Sequence, residues 1–219
     1  MVKRLQNKIS ESRITLPVVA VYAAVIWLAC GLIPNQWWIQ FVCFAVSTYL
    51  MIELNNSNAL IRIYSKMVSC AFLVLSVAAC FMFADIKEGV TGLLMIAAYI
   101  LLFRTYQDKS AAGNTYYTFQ CLGLASMAHV HSLYFVPAYW LLMLFFMQTM
   151  SMRTFCASLL GLLTPYWFAS AYFIFYSDFI TPLNHFAEIF HFPGLLNLSI
   201  LSMQQVIVFI FINILLITG

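Results

Sequence analysis

Charged side chains are shut out of long stretches of this chain. Between Thr15 and Tyr176 they occur only at positions 53–66, 85–88, 104–109 and 153, and the segments between are uncharged and mostly apolar. Each segment is about one or two times the ~20 residues that a helix needs to cross a hydrocarbon core of about 30 Å. Hydrophobic residues make up 64% of the chain and charged residues 8%, against about 45–50% and about 25% in soluble domains. A water-soluble domain of this size has too much exterior to hide that much apolar surface. Lipid is therefore the expected solvent.

The chain predicts an all-α, polytopic transmembrane helical bundle in a single domain, 1–219. About eight spans are expected, at 15–34, 37–54, 62–84, 89–104, 113–129, 133–150, 154–176 and 203–219. Seven are full crossings. The last run, Val206–Gly219, is short and stops without a flanking charge, as a truncated chain would. The basic start before Thr15 has the look of a signal peptide, but the run is too long for an h-region and no small-x-small site follows, so a retained first span is expected. Ile33–Gln36 reads as a turn, followed by Trp37 and Trp38 as interface anchors. From Tyr116 to Met150 the apolar run lasts about 35 residues, on the order of 50 Å as one helix, so it must fold back. The turn is expected at Ala128–Ser132, with Pro137 near the start of the returning helix, where a missing N–H matters least.

The helix before that turn is interrupted by Asn114, Thr118, Gln120 and Ser126, and such a helix is expected to face protein neighbours rather than lipid. Gly161, Pro165 and Ala169 in the span 154–176 leave room for a close helix neighbour, and Pro165 predicts a kink. Between 177 and 202, Leu183, Phe186, Ala187 and Phe190 recur at helical spacing opposite Asn184, His185, Glu188 and His191, which predicts a surface helix over about 183–192.

Orientation comes from the cations. With the N-terminus cytoplasmic and the spans alternating, Lys3, Arg4, Lys8, Arg13, Arg62, Lys66, Arg104, Lys109 and Arg153 fall inside, and Lys87 alone falls outside. That is the positive-inside bias of a translocated membrane protein.

Two polar groups stand out. Glu53, Asn55, Asn56, Asn58, Arg62 and Lys66 form a dense polar knot at the cytoplasmic end of a helical hairpin. One reading is a pocket for an anionic headgroup, with the cations supplying charge and the amides orienting it. The other is structural, with Asn and Ser capping the helix ends and Glu53 pairing with Arg62 or Lys66. On the outer side, His129, His131, Asp178, His185, Glu188 and His191 gather the histidines and nearby carboxylates. Spacing by three brings His185, Glu188 and His191 near one another on a helix, but no HExxH or CxxC pattern makes them a metal site. The six cysteines all fall inside apolar runs and read as packing residues rather than a disulfide framework.

No Gly-rich phosphate loop, catalytic-serine motif or basic nucleic-acid stripe is present. No catalytic residue, metal or cofactor is assigned, and the expected partners are membrane lipids and other membrane proteins, not nucleic acid. Leu54-Asn55-Asn56 through Ala59-Leu60-Ile61-Arg62, the Ser-Leu-Tyr-Phe-Val-Pro turn at 132–137, and Gly161-Leu162-Leu163-Thr164-Pro165-Tyr166-Trp167 resemble a family of uncharacterised multi-pass membrane proteins from Bacteroidota. The resemblance covers most of residues 40–176. It implies a bacterial cytoplasmic (inner) membrane as the setting and supplies no activity. A non-catalytic cell-envelope component that binds lipid or partner proteins is the favoured function. A carrier or flippase, or a glycosyltransferase-like protein handling a polyprenyl-linked sugar, is the alternative. The third of these would need acidic residues in a sizeable first outer loop, where this chain has only Pro34-Asn35-Gln36.

Overall fold

The structure, a computed structural model, describes residues 12, 14–58, 66–176, 180–190 and 203–218. Every regular element among them is helical. The α-helices are α1 (Thr15–Ala29), α2 (Trp38–Asn58), α3 (Met67–Ala78), α4 (Ile86–Phe103), α5 (Ala112–Ala128), α6 (Phe135–Leu141), α7 (Met152–Phe175), α8 (Ile180–Ala187) and α9 (Met203–Thr218). Among the described residues, three stretches are long and apolar enough to cross a membrane: Trp38–Ser57, Ile86–Phe103 and Met152–Phe175. Thr15–Ala29, Met67–Ala78 and Val130–Phe146 are apolar but shorter. The chain divides into two compact units, one of Met1–Ile86 with Phe192–Gly219, the other of Lys87–His191.

In the first unit Pro17 lies in the opening turn of α1, where its missing N–H breaks no helix bond. The helix ends where Gly31 takes a left-handed φ of 102°. There the Gly31 N–H donates to the Leu28 carbonyl (3.3 Å) and the Leu32 N–H reaches back to that of Trp27 (3.2 Å), a Schellman closure that places buried Leu32 against Trp27. The Trp27 ring stacks on Phe83 at 3.8 Å and meets Phe41 and Phe44 at 5.5 Å. Phe83 follows α3 and a 3₁₀ turn (Cys80–Met82), while Phe41 lies in the first turn of α2. One aromatic cluster therefore gathers the end of α1, the start of α2 and the end of α3, as three alternating helices require.

In the second unit the main packing is α5 against α7. The buried residues of α5 include Thr115, Thr118, Phe119, Gly123 and Ser126, and those of α7 are Thr154, Ala157, Ser158, Gly161 and Pro165. The outward residues of α7 are Leu160, Leu163, Trp167, Phe168, Ile174 and Phe175. This helix keeps its small and hydroxyl residues inside and its large apolar ones outside, the reverse of a soluble core. The inward hydroxyls close on their own helix: Thr115 donates to the Ala111 carbonyl (2.9 Å), Thr118 to Asn114 (2.8 Å) and Ser158 to Phe155 (2.7 Å). Each polar atom is satisfied without water.

Boundaries differ from the sequence reading. Helix α1 ends at Ala29 rather than 34, and the apolar helix of the expected span 62–84 is Met67–Ala78 followed by a 3₁₀ turn. Helix α2 runs through Asn58, so Glu53, Asn55, Asn56 and Ser57 occupy its last turns rather than a loop. The Ser57 hydroxyl donates to the Glu53 carbonyl, one of the back-bonds that let such residues stay helical. The expected run 133–150 is a composite: a 3₁₀ segment (Val130–Tyr134), α6 with Pro137 in its first turn, and a π segment (Leu142–Phe146). Beyond it Gln148 adopts a left-handed φ of 53°, and the Thr149 N–H donates to the Met143 carbonyl (3.0 Å). Helix α7 continues through Pro165.

Close approach of α5 and α7 rests on two glycines. A Cβ on Gly161 would lie 2.2 Å from the Tyr116 carbonyl oxygen, and one on Gly123 would lie 2.8 Å from that of Leu162. G161A should therefore force the helices apart and lower stability by about 1–3 kcal/mol, as overpacking does. G92A, in α4 with nothing within 4 Å, should leave stability unchanged or raise it by up to ~1 kcal/mol through helix propensity. Thermal unfolding in detergent compares the two, and equal midpoints would contradict the close approach.

Candidate functional site

The polar features of the second unit gather at two opposite ends. At one end the Gln107 N–H donates to the Met147 carbonyl (2.9 Å) and the Ser151 hydroxyl to that of Lys109 (3.0 Å). Ser151 and Thr154 form a reciprocal capping box at the start of α7. Asp108 accepts from the N–H (2.8 Å) and hydroxyl (2.6 Å) of Ser110, and these bonds hold its carboxyl below the ordinary carboxylate range. Lys109 lies in this end, and Arg104 and Arg153 flank it in sequence.

The opposite end contains His129, His131 and His185. His129 follows the last residue of α5 in extended conformation, and its Nε2 lies 3.4 Å from Glu88 Oε1 in the first turn of α4. That nitrogen is shielded and makes no aligned hydrogen bond to the carboxylate. The His131 ring lies 6.1 Å from that of Tyr134, whose hydroxyl donates to the Ile189 carbonyl (2.7 Å).

His185 connects α8 to α5. Its Nε2–H donates to the Ser126 carbonyl oxygen at 3.0 Å, which fixes the hydrogen on Nε2 in the neutral ring. The Ser126 hydroxyl donates to the Gly123 carbonyl (2.7 Å), leaving its oxygen to accept from the Tyr166 hydroxyl of α7 at 2.6 Å. The Tyr166 ring in turn meets Phe186 at 5.3 Å. Residues from α5, α7 and α8 are thereby joined through one serine.

Beside this junction lies a cavity of about 480 Å³, within the range of small-molecule sites. Met127, Ala169, Phe173, Ile174, Pro182 and Phe186 supply apolar wall, and Tyr166, Ser170, Thr181 and His185 supply the polar atoms. The arrangement can hold a hydrocarbon group with a polar end near His185.

The histidines and acids expected to cluster are distributed otherwise. His185 turns inward to Ser126, His129 faces Glu88, and Glu188 is exposed. Asp178 and His191 lie outside the described residues. Among those described, no three His, Cys, Asp or Glu side chains converge as metal ligands would. Of the polar knot, Glu53 is half-buried, Asn55 is buried and bonded, Asn56 is exposed and Lys66 immediately precedes α3. No ion pair joins Glu53 to Lys66. Arg62 and the side chain of Asn58 lie outside the described residues.

The sequence marks Ser126 only as one of four polar interruptions of its helix, beside Asn114, Thr118 and Gln120, and Tyr166 only as part of the Gly161–Trp167 stretch. No known family, curated protein or solved structure matches the chain.

His185 should control whether α8 stays docked. H185A removes the bond to Ser126 and should raise deuterium uptake across Ile180–Phe190 severalfold, while α5 and α7 stay protected by their own packing. Unchanged uptake in α8 would show that the histidine does not hold it.

Proposed function

We propose that this chain is a multi-pass protein of a bacterial cytoplasmic membrane, with about eight crossings and a cytoplasmic N-terminus, acting as a non-catalytic envelope component that binds membrane lipid. The resemblance to the Bacteroidota family favours that setting. The three long apolar helices among the described residues and the inside-out distribution of residues on α7 support the multi-pass reading. In the second unit the end with Lys109 is opposite the end with Glu88, His129 and His185, in keeping with the positive-inside count.

The observation that carries lipid binding is the cavity between α7 and α8. Its wall is mostly aliphatic and aromatic, and its polar atoms are few, from Tyr166, Ser170, Thr181 and His185. An acyl or prenyl chain fits that wall, and a headgroup would remain at the wet end. Such a site places the ligand on the face away from the cations.

Labelling with a phospholipid that has a photoactivatable group in its acyl chain tests this. Cross-links should concentrate on Ala169–Ile174 and Thr181–Phe186, and A169W, which fills the cavity, should reduce them about tenfold, a loss of ~1.4 kcal/mol in binding. Uniform labelling of all helices, or labelling indifferent to A169W, would remove the lipid reading. Topology is read separately: a reporter active only in the periplasm should be silent when fused after Asp108 and active when fused after Lys87. The reverse pattern would overturn the orientation.

A further inference from the structure

Cys30 and Cys80 are 50 positions apart in sequence and belong to no CxxC pattern, yet the fold brings them together. Cys30 caps the C-terminus of α1, with its N–H donating to the Ile26 carbonyl at 2.8 Å. Cys80 opens the 3₁₀ turn after α3, and its carbonyl accepts from the Phe83 N–H at 3.1 Å. Both side chains pack on the Trp27–Phe83 cluster and both are half-buried. The stacked rings fix the backbone at the end of α1 relative to the end of α3, and Cys80 is the neighbouring side chain that acts on the Cys30 thiol.

We infer that Cys30 and Cys80 are a redox couple that closes into a disulfide, fastening the end of α1 to the end of α3. The co-reactant is a small or protein disulfide donor. One thiolate attacks the donor disulfide, forming a mixed disulfide and expelling one donor thiol. The second thiolate attacks the protein sulfur of that mixed disulfide and expels the other donor thiol. The pair loses two electrons and two protons, and the donor disulfide is reduced to two thiols. Both side chains sit on one cluster at adjoining helix ends, and a disulfide needs their Cα atoms within about 4.4–6.8 Å of each other. On the orientation proposed above this end of the unit faces the periplasm, an oxidising compartment. Closure in the purified protein does not depend on that orientation.

The test uses the purified full-length chain in detergent, oxidised glutathione as donor, alkylation of remaining thiols, and mass spectrometry without reduction. A peptide linking Cys30 to Cys80 should exceed any other cysteine pairing by about tenfold or more. In C80S the link should vanish and Cys30 should be recovered bearing glutathione. The proposal falls if wild-type Cys30 and Cys80 are both recovered alkylated. It falls equally if each is found bearing glutathione with no link between them.

Discussion

Everything in the second unit depends on how near two helix backbones come to one another. Helix α5 meets α7 where the Tyr116 carbonyl occupies the space a side chain on Gly161 would need, and where the Pro165 ring fills the space beside Gly123. In lipid, apolar side chains gain nothing by leaving their solvent, so association has to come from packing and interhelical hydrogen bonds. Small residues at the interface supply the first. Tyr116 with Thr164 (3.0 Å), Tyr166 with Ser126 (2.6 Å) and the Trp140 indole N–H with the Ser158 hydroxyl (3.0 Å) supply the second. Once α7 is seated, its large residues have only the outside left to them.

The same junction accounts for the cavity. Ser126 can serve α7 and α8 at once because its hydroxyl and its carbonyl are separate groups on one residue. Tyr166 takes the first and His185 the second. Helix α8 is short, and nothing in it is fully buried, so its position depends on these few contacts rather than on a core of its own. A short helix held by its edge against a long one leaves a space between them, and the residues left to line that space are mostly apolar.

Much of the layout was legible beforehand because it follows from local rules. Pro137 near a helix start, the turn at Ile33–Gln36 and the inward-facing character of the helix containing Thr118 and Ser126 all follow from chemistry within one or two turns of chain. The site was less legible because it is made by partners 40 and 59 positions apart. His185 shows this most clearly. Helical spacing assigned it to the polar side of α8 with Glu188, but that side is defined by the helix alone, and a free carbonyl on α5 decides where the ring turns. Asn56 and Ser57 fall beyond the expected span end at 54, as caps, for a similar reason: the capping preference is real, but a back-bond within the helix satisfies Ser57 as well.

The two units answer the same problem in different ways. Where α5 and α7 touch backbone to backbone, contact extends along much of both helices and needs no further fastening. In the first unit α1 and α3 bear no such glycines, and their packing runs from Val19 and Ala23 to Trp27 on α1 and over Leu73 and Val77 of α3 to Phe83. Aromatic stacking of this kind adds about 0.5–1.5 kcal/mol beyond the area it covers, and in lipid that area contributes little. A covalent link between Cys30 and Cys80 would act where the stacked rings already hold the two helix ends, placing a constraint on both helices.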